Sequence, residues 1–133
     1  MTQAAMPQGG DVRSWSIVRI DIRSPVRRDA WPVARIELEH PTRGRVTDIG
    51  KAPGAFDAAF VAASHILGVS PRLLSYNVRS GEPKLGEALP ITIDVVLEID
   101  GAHYEGTSSG ADLVECSLEA WLDAIAKSAG EDD

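Results

Sequence analysis

Residues 50–68 read GKAPGAFDAAFVAASHILG, and they lead from a strand-like run into a helix-like one. Gly68 stands where a glycine commonly ends a helix. The stretch therefore predicts a helix that begins in a glycine-rich turn, and turns of that kind often hold anions. The apolar residues that recur in it at the three- and four-residue spacing of an amphipathic helix are Phe56, Ala59, Phe60, Ala63 and Leu67.

The turn itself, GKAPGAFD over residues 50–57, matches neither of two common nucleotide-binding patterns. A Walker loop would need a Gly-Lys-Ser/Thr sequence here, and a dinucleotide fingerprint would need G-x-G-x-x-G spacing. Two interpretations stay open. Glycine can relieve backbone strain in a tight turn, or the N–H groups at the helix start can face a small anion.

The residues before this turn predict three strands, over residues 15–23, 33–40 and 45–50. Alternation of apolar and polar residues predicts which side chains point inward. They are Val18, Ile20 and Ile22 in the first strand, and Ala34, Ile36 and Leu38 in the second.

The second half of the chain repeats this order. RLLSYNVRS predicts a strand with Leu74, Tyr76 and Val78 on one face, and ITIDVVLEID predicts a second strand. Asp100-Gly101 is a strong hairpin signal, AHYEGT is the return strand, and a second glycine turn, GTSSGAD, opens a helix over residues 111–128. The second strand should place Ile91, Ile93, Val95, Leu97 and Ile99 on one face, and the helix should bury Val114, Leu118, Trp121, Leu122 and Ile125.

The two halves keep the same spacing. Gly50 is as far from Gly106 as Gly54 is from Gly110, and Ile20 is equally far from Tyr76. The chain therefore predicts an α+β fold of two pseudo-symmetric β-β-β-α units, with antiparallel sheets covered by two helices. We expect a flexible N-terminus over residues 1–13, one domain over residues 14–128 and an acidic tail over residues 129–133.

Composition narrows the class of function. The chain has 133 residues and a formal net charge of -7, which argues against a nucleic acid partner because phosphate backbones need a positive surface. No apolar run approaches the roughly 20 residues that span a bilayer. The N-terminus lacks the pattern of a signal peptide, and Cys116 is the only cysteine. A cytoplasmic protein without membrane contact is predicted.

The residue types that carry catalysis do not converge. His40, His65 and His103 show no metal-ligand spacing with Cys116, which is expected to be a small buried residue, and no cofactor is expected. Asp57 and Asp112 lie in the first turns of the predicted helices. They either complement the helix dipole or pair with the ammonium group of a ligand.

Residues 54–128 carry a series of motifs whose order resembles the C-terminal allosteric (dimerisation) domain of α-isopropylmalate synthase, a domain that citramalate synthase also carries. The matching elements are Gly54-Ala55-Phe56-Asp57-Ala58, Leu73 to Tyr76, Gly86-Glu87, Ile91 to Ile99, Asp100-Gly101 and Asp112-Leu113-Val114-Glu115-Cys116-Ser117. The resemblance extends over roughly residues 14–128 and implies two β-β-β-α units that dimerise face to face.

The resemblance also implies a feedback site for leucine or isoleucine near the glycine turns, at the dimer interface. Carried over by position, its effector-binding residues are Gly54, Ala55, Phe56, Asp57, Ala58, Tyr76, Ser80, Asp112 and Leu113. An apolar slot with polar ends is what a branched-chain amino acid requires.

The parent enzymes place a catalytic barrel before this domain, and the chain is too short to contain one. We therefore expect a non-catalytic domain, free-standing or excised, that can regulate a catalytic synthase subunit in trans. The initial Met favours the free-standing form. The alternative is a structural dimerisation module without a ligand, since Phe56 is bulkier than the valine of the family pattern and Ala52 and Ser108 replace family glycines.

Overall fold

The structure is a computed structural model that describes residues 15–25, 29–80, 85–86 and 90–130. The chain divides between Ser70 and Pro71 into two compact units, here called the N-terminal unit and the C-terminal unit. The expected flexible segment 1–13, the family motif residue Glu87 and the tail residues 131–133 lie outside the described residues.

The N-terminal unit has the element order predicted from its sequence. Strands β1 (Ser16–Arg23), β2 (Val33–His40) and β3 (Gly44–Lys51) form an antiparallel sheet in that order. Helix α1 (Ala55–Leu67) follows and packs mainly against β3 and β2.

The C-terminal unit repeats the same architecture. Strands β4 (Arg72–Ser80), β5 (Ile91–Ile99) and β6 (Ala102–Gly110) form the second antiparallel sheet, and helix α2 (Leu113–Ser128) packs mainly against β6 and β5. The predicted α+β fold of two β-β-β-α units is therefore confirmed.

Each unit buries the apolar face of its central strand. The predicted inward residues of the two central strands are fully buried, except Ile91 and Ile99 at the ends of β5, which are half-buried. Helix α2 contributes the largest fully buried side chain, Trp121. Removing these side chains from water is the main favourable contribution to folding. The fully buried residues of the two central strands are Ala34, Ile36, Leu38, Ile93, Val95 and Leu97.

The first strand of each unit contains a β-bulge that the sequence pattern did not reveal. In β1 the pairing shifts between Ile17 and Arg19, and in β4 it shifts between Leu73 and Ser75. The extra residues, Val18 and Leu74, are each 37% exposed. The predictions that Val18 points inward and that Leu74 shares a face with Tyr76 and Val78 were wrong, because a bulge inserts one residue and reverses the alternation.

Gly50 and Gly106, each predicted both to end a strand and to open a glycine turn, lie in strands. Gly50 is in β3, and Gly106–Gly110 all belong to β6, so the predicted turn GTSSGAD is strand as far as Gly110, and only Ala111 and Asp112 lie between that strand and α2. A Cβ on Gly50 would lie 2.2 Å from the Ala58 carbonyl oxygen, and one on Gly106 would lie 2.0 Å from that of Ala120. These glycines let the last strand approach the helix backbone directly.

The predicted hairpin turn and the predicted end of α1 are both confirmed. Asp100 and Gly101 have φ angles of 53° and 84°, which is the pair of positive values that a tight two-residue hairpin requires. Gly68 has a φ of 70° and donates its N–H to the Ser64 carbonyl at 2.8 Å, which ends α1. Neither helix formed by the described residues has the length and apolar content needed to cross a bilayer.

Candidate functional site

The start of α1 holds five of the predicted effector-binding residues. Its N-cap is Gly54, which has no side-chain oxygen to accept from the first-turn N–H groups. Asp57 lies in the first turn, and a Cβ on Gly54 would be 3.0 Å from Asp57 Oδ2. The carboxylate therefore lies over the N-cap, at the positive end of the helix dipole.

The remaining residues of this group differ in exposure. Ala58 is fully buried, and its carbonyl oxygen lies against Gly50. Ala55 and Phe56 are half-buried, whereas Asp57 is exposed. Within the N-terminal unit, the side chains of Phe56 and Asp57 are thus more open to a ligand than that of Ala58.

The start of α2 is capped differently. Asp112 is the N-cap itself, and its Oδ1 accepts the Glu115 N–H at 2.9 Å. Asp112 and Asp57 are therefore not equivalent positions, although both were predicted to lie in first turns. Leu113, the first residue of α2, is half-buried.

A chain of hydroxyl groups joins Tyr76 to the first turn of α2. Tyr76 Oη lies 2.6 Å from Ser117 Oγ, and Ser117 Oγ donates to the Leu113 carbonyl oxygen at 2.7 Å. Ser117 is 1% exposed, and Tyr76 is half-buried. The structure thus brings together two predicted site residues, Tyr76 and Leu113, through Ser117.

Ser117 is predicted from the sequence only as part of a family motif, without a role of its own. Its position four residues after Leu113 is the one available signal, because a serine in a helix often donates to the carbonyl oxygen of the residue four positions before it. Its contact with Tyr76 depends on how α2 lies over the sheet that contains β4, which local sequence does not specify.

Ser80, the last residue of β4, is exposed. It pairs with Ile91, as Tyr76 pairs with Val95, so both lie on the face of the sheet that carries α2. Val78 lies between them on this face and is 48% exposed. The end of β4 therefore presents an apolar side chain flanked by two hydroxyl groups.

A cavity of about 450 Å³ lies elsewhere in the C-terminal unit. Its lining includes Asn77, Arg79, Asp94 and Thr107, which alternate with the residues facing α2. Arg79 Nε donates to Asp94 Oδ2 at 2.6 Å, and this hydrogen bond lowers the pKa of Asp94. Charged side chains, which also include Glu105 and Lys127, line this cavity, so it differs from the apolar slot expected for the effector.

Cys116 is buried, as predicted, with 3% of its surface exposed. Burial raises the pKa of its thiol, and the charge of Glu119 adds to the shift. A thiol held in its protonated form is a poor nucleophile. Across the described parts of the chain, no group of three His, Cys, Asp or Glu side chains is placed to hold a metal ion.

Comparison with known proteins gives matches over most of the chain. Residues 11–129 match the family described as LeuA allosteric (dimerisation) domain. The 2-isopropylmalate synthase of Xanthomonas campestris pv. campestris (strain B100) is 38% identical over 93 residues, which cover 68% of this chain and 17% of that protein. The 2-isopropylmalate synthase of Stenotrophomonas maltophilia (strain K279a) is 37% identical over 93 residues. The region in common is 17% of each relative.

Proposed function

Because the chain belongs to the LeuA allosteric (dimerisation) domain family, we propose that it is a non-catalytic regulatory domain that dimerises and binds a branched-chain amino acid. The family match confirms the resemblance stated from the sequence. The proposed effector is leucine or isoleucine, bound at the dimer interface, and the proposed target is a separate synthase regulated in trans. The match across residues 11–129, which includes both β-β-β-α units, carries this proposal.

The exposed apolar surface of β4 supports dimerisation. Helix α2 packs mainly on β6 and β5, and Val78 on the same face remains 48% exposed. Covering such an edge strand with another protein surface is favourable, because burial of apolar area drives association. A second copy of this chain is the proposed cover.

The arrangement of polar groups around Tyr76 supports an amino-acid effector. Tyr76 is connected to the start of α2 by hydrogen bonds through Ser117. Asp112 places a carboxylate at the same end of this helix. Leu113 and Val78 supply apolar surface nearby in the fold of this unit. A carboxylate, hydroxyl groups and apolar side chains are together suited to the ammonium and side chain of a branched amino acid.

The catalytic activity named for the relatives is not part of this proposal, since they match this chain over only 17% of their length. Regulation in trans requires that the effector bind two states of an assembly with different affinity. We propose that residues 14–128 act as one functional domain. A cytoplasmic location remains a prediction.

Titration calorimetry of the purified chain with leucine, isoleucine and valine tests the proposal, with sedimentation velocity to measure the oligomeric state. We expect a dimer that binds leucine or isoleucine and gains thermal stability with it. No heat and no shift in melting temperature at millimolar ligand would exclude effector binding. A monomer at micromolar concentration would exclude dimerisation.

Phe56 favours one alternative, a structural dimerisation module without a ligand. Its half-buried aromatic ring lies in the first turn of α1, where the family pattern has the smaller valine. A ring there can fill an apolar slot. This alternative predicts the same dimer with no response to any of the three amino acids. A Phe56→Val variant that gains binding would identify the ring as the obstruction.

A further inference from the structure

The hydroxyl chain from Tyr76 to Leu113 has a direction that the chemistry of its members fixes. A backbone carbonyl oxygen carries no proton, so Ser117 must be the donor in its 2.7 Å contact with the Leu113 oxygen. A serine hydroxyl has a single proton. Once that proton is directed at Leu113, Ser117 Oγ has only lone pairs to offer on its other side.

The consequence reaches Tyr76. Its Oη is 2.6 Å from Ser117 Oγ, a distance normal for an O–H to O hydrogen bond. Because Ser117 can only accept in this contact, Tyr76 must donate, and its one phenolic proton is committed to Ser117. Any further partner of Tyr76 Oη must therefore be a hydrogen-bond donor.

Burial holds this direction in place. Ser117 is 1% exposed, so water does not compete for its proton. Its position four residues after Leu113 in α2 keeps Oγ beside that carbonyl. The reversed arrangement would place two acceptor oxygens at 2.7 Å without a proton between them, which is unfavourable.

We propose that Tyr76 Oη accepts a hydrogen bond from the ammonium group of the effector, and that Ser117 is the positioning residue that makes the phenol an acceptor. This inference rests on the proposed function and adds a chemical specificity to it. The site selects an amino acid over the corresponding 2-oxo acid. The carbonyl oxygen of an oxo acid is itself an acceptor, so it cannot replace the ammonium group opposite Tyr76.

The charges near this end of α2 agree with the proposal. Asp112 at the N-cap and Glu115 in the first turn both carry negative charge. They favour an approaching cation and disfavour a second anion close to Tyr76. The carboxylate of the effector must therefore bind away from Oη.

Calorimetry with three ligands tests the inference on the full chain. The ligands are leucine, 4-methyl-2-oxopentanoate and 3-methylbutylamine, or the corresponding isoleucine series if isoleucine binds. We expect the wild type to bind the amino acid about tenfold or more tightly than the oxo acid. We expect Tyr76→Phe to lose about tenfold in affinity for the amino acid and the amine, while its affinity for the oxo acid is unchanged.

Substitution of Ser117 separates positioning from packing. In Ser117→Ala the Tyr76 proton is released and can point at an acceptor, so binding of the oxo acid should strengthen as discrimination falls. Ser117→Thr keeps the hydroxyl and should restore discrimination. If Ser117 had only a structural role, Ser117→Ala would weaken the binding of all three ligands alike, and that result would overturn the inference.

The outcomes distinguish the inference from the proposed function. A wild type that binds leucine and its oxo acid equally overturns the inference without any variant, so misfolding of a variant does not decide the matter. Retention of full discrimination in Tyr76→Phe also overturns it and leaves the proposed function standing. A wild type that binds no amino acid overturns both.

Discussion

Gly106 in β6 and Ala120 in α2 are in backbone contact, since a Cβ on Gly106 would lie 2.0 Å from the Ala120 carbonyl oxygen. It would also lie 2.6 Å from the Ala124 nitrogen. Gly50 has the equivalent relationship with Ala58 and Ala62 of α1, at 2.2 and 2.4 Å. Each unit thus brings its helix onto its last strand through a single residue without a side chain.

Gly106→Ala should destabilise the fold by about 3 kcal/mol, because the added methyl group meets backbone atoms that cannot move aside alone. The free energy of unfolding in urea measures the effect. Gly54→Ala is the matched control, since its Cβ would meet only the end of the Asp57 side chain, at 3.0 Å. If the two variants were equally stable, the close contact between Gly106 and the backbone of α2 would be contradicted.

Asp112 should have separable roles in capping and in effector binding. Asp112→Asn keeps a good N-cap, so the melting temperature should change little, whereas Asp112→Ala should cost about 1 kcal/mol. Both variants lose the carboxylate and should bind the effector about tenfold more weakly. If the Asn variant bound as tightly as the wild type, Asp112 would not be a partner of the ammonium group.

Val78 should contribute to the dimer. Val78→Asp adds a charge to the exposed apolar face of β4 and should raise the dimer dissociation constant at least about tenfold, as sedimentation would show. Ile49→Asp is the control, because Ile49 is similarly exposed, at 53%, but pairs with Arg35 on the face of its sheet away from Ala34 and Ile36. Equal weakening by both variants would argue against a specific role for β4.

Cys116 should make stability depend on pH in the alkaline range. Its pKa is raised in the folded state by burial, so the unfolded chain loses the thiol proton first as pH rises. This contribution to stability is fully present below the unfolded pKa of about 8.5 and is lost progressively as pH rises from there through the raised pKa of the folded thiol. Cys116→Ala should remove this dependence in melting curves recorded from pH 7 to 10.

Reaction of the same thiol with iodoacetamide provides an independent measurement for the preceding prediction. The folded protein should react slowly at pH 8, because Cys116 is only 3% exposed and stays protonated. Denaturant should restore a normal rate. Fast modification of the folded chain would show that the thiol is accessible.

The fold was predictable because hydrophobic periodicity and turn residues act locally. Ile93, Val95 and Leu97 alternate within one strand, and Asp100-Gly101 requires positive φ angles wherever it occurs. The roles of Gly50 and Gly106 were not predictable in the same way. In the sequence, a glycine that merely ends a strand cannot be told from one that contacts a helix backbone. The difference depends on where the helix packs in the folded unit.

The candidate site was accessible to sequence reasoning only in part. Asp112 and Leu113 follow from their position at a helix start, and the structure places them there. The effector-binding role of all nine residues remains a prediction. Ser117 was missed because a buried helical serine has no pattern of its own, and its partner Tyr76 comes from another element.

Because of their bulges, β1 and β4 each change, partway along the strand, which alternate residues face inward. Ile17 pairs with Leu38 and Ile20 pairs with Ile36, so both face inward although two residues, not one, separate them. Rules that assign every second position to the interior therefore give opposite answers before and after Val18. In β1, the positions that tolerate a polar substitution should switch from one alternate set of residues to the other at Val18. The same switch is expected in β4 at Leu74, so neither strand can be redesigned with a single alternating pattern.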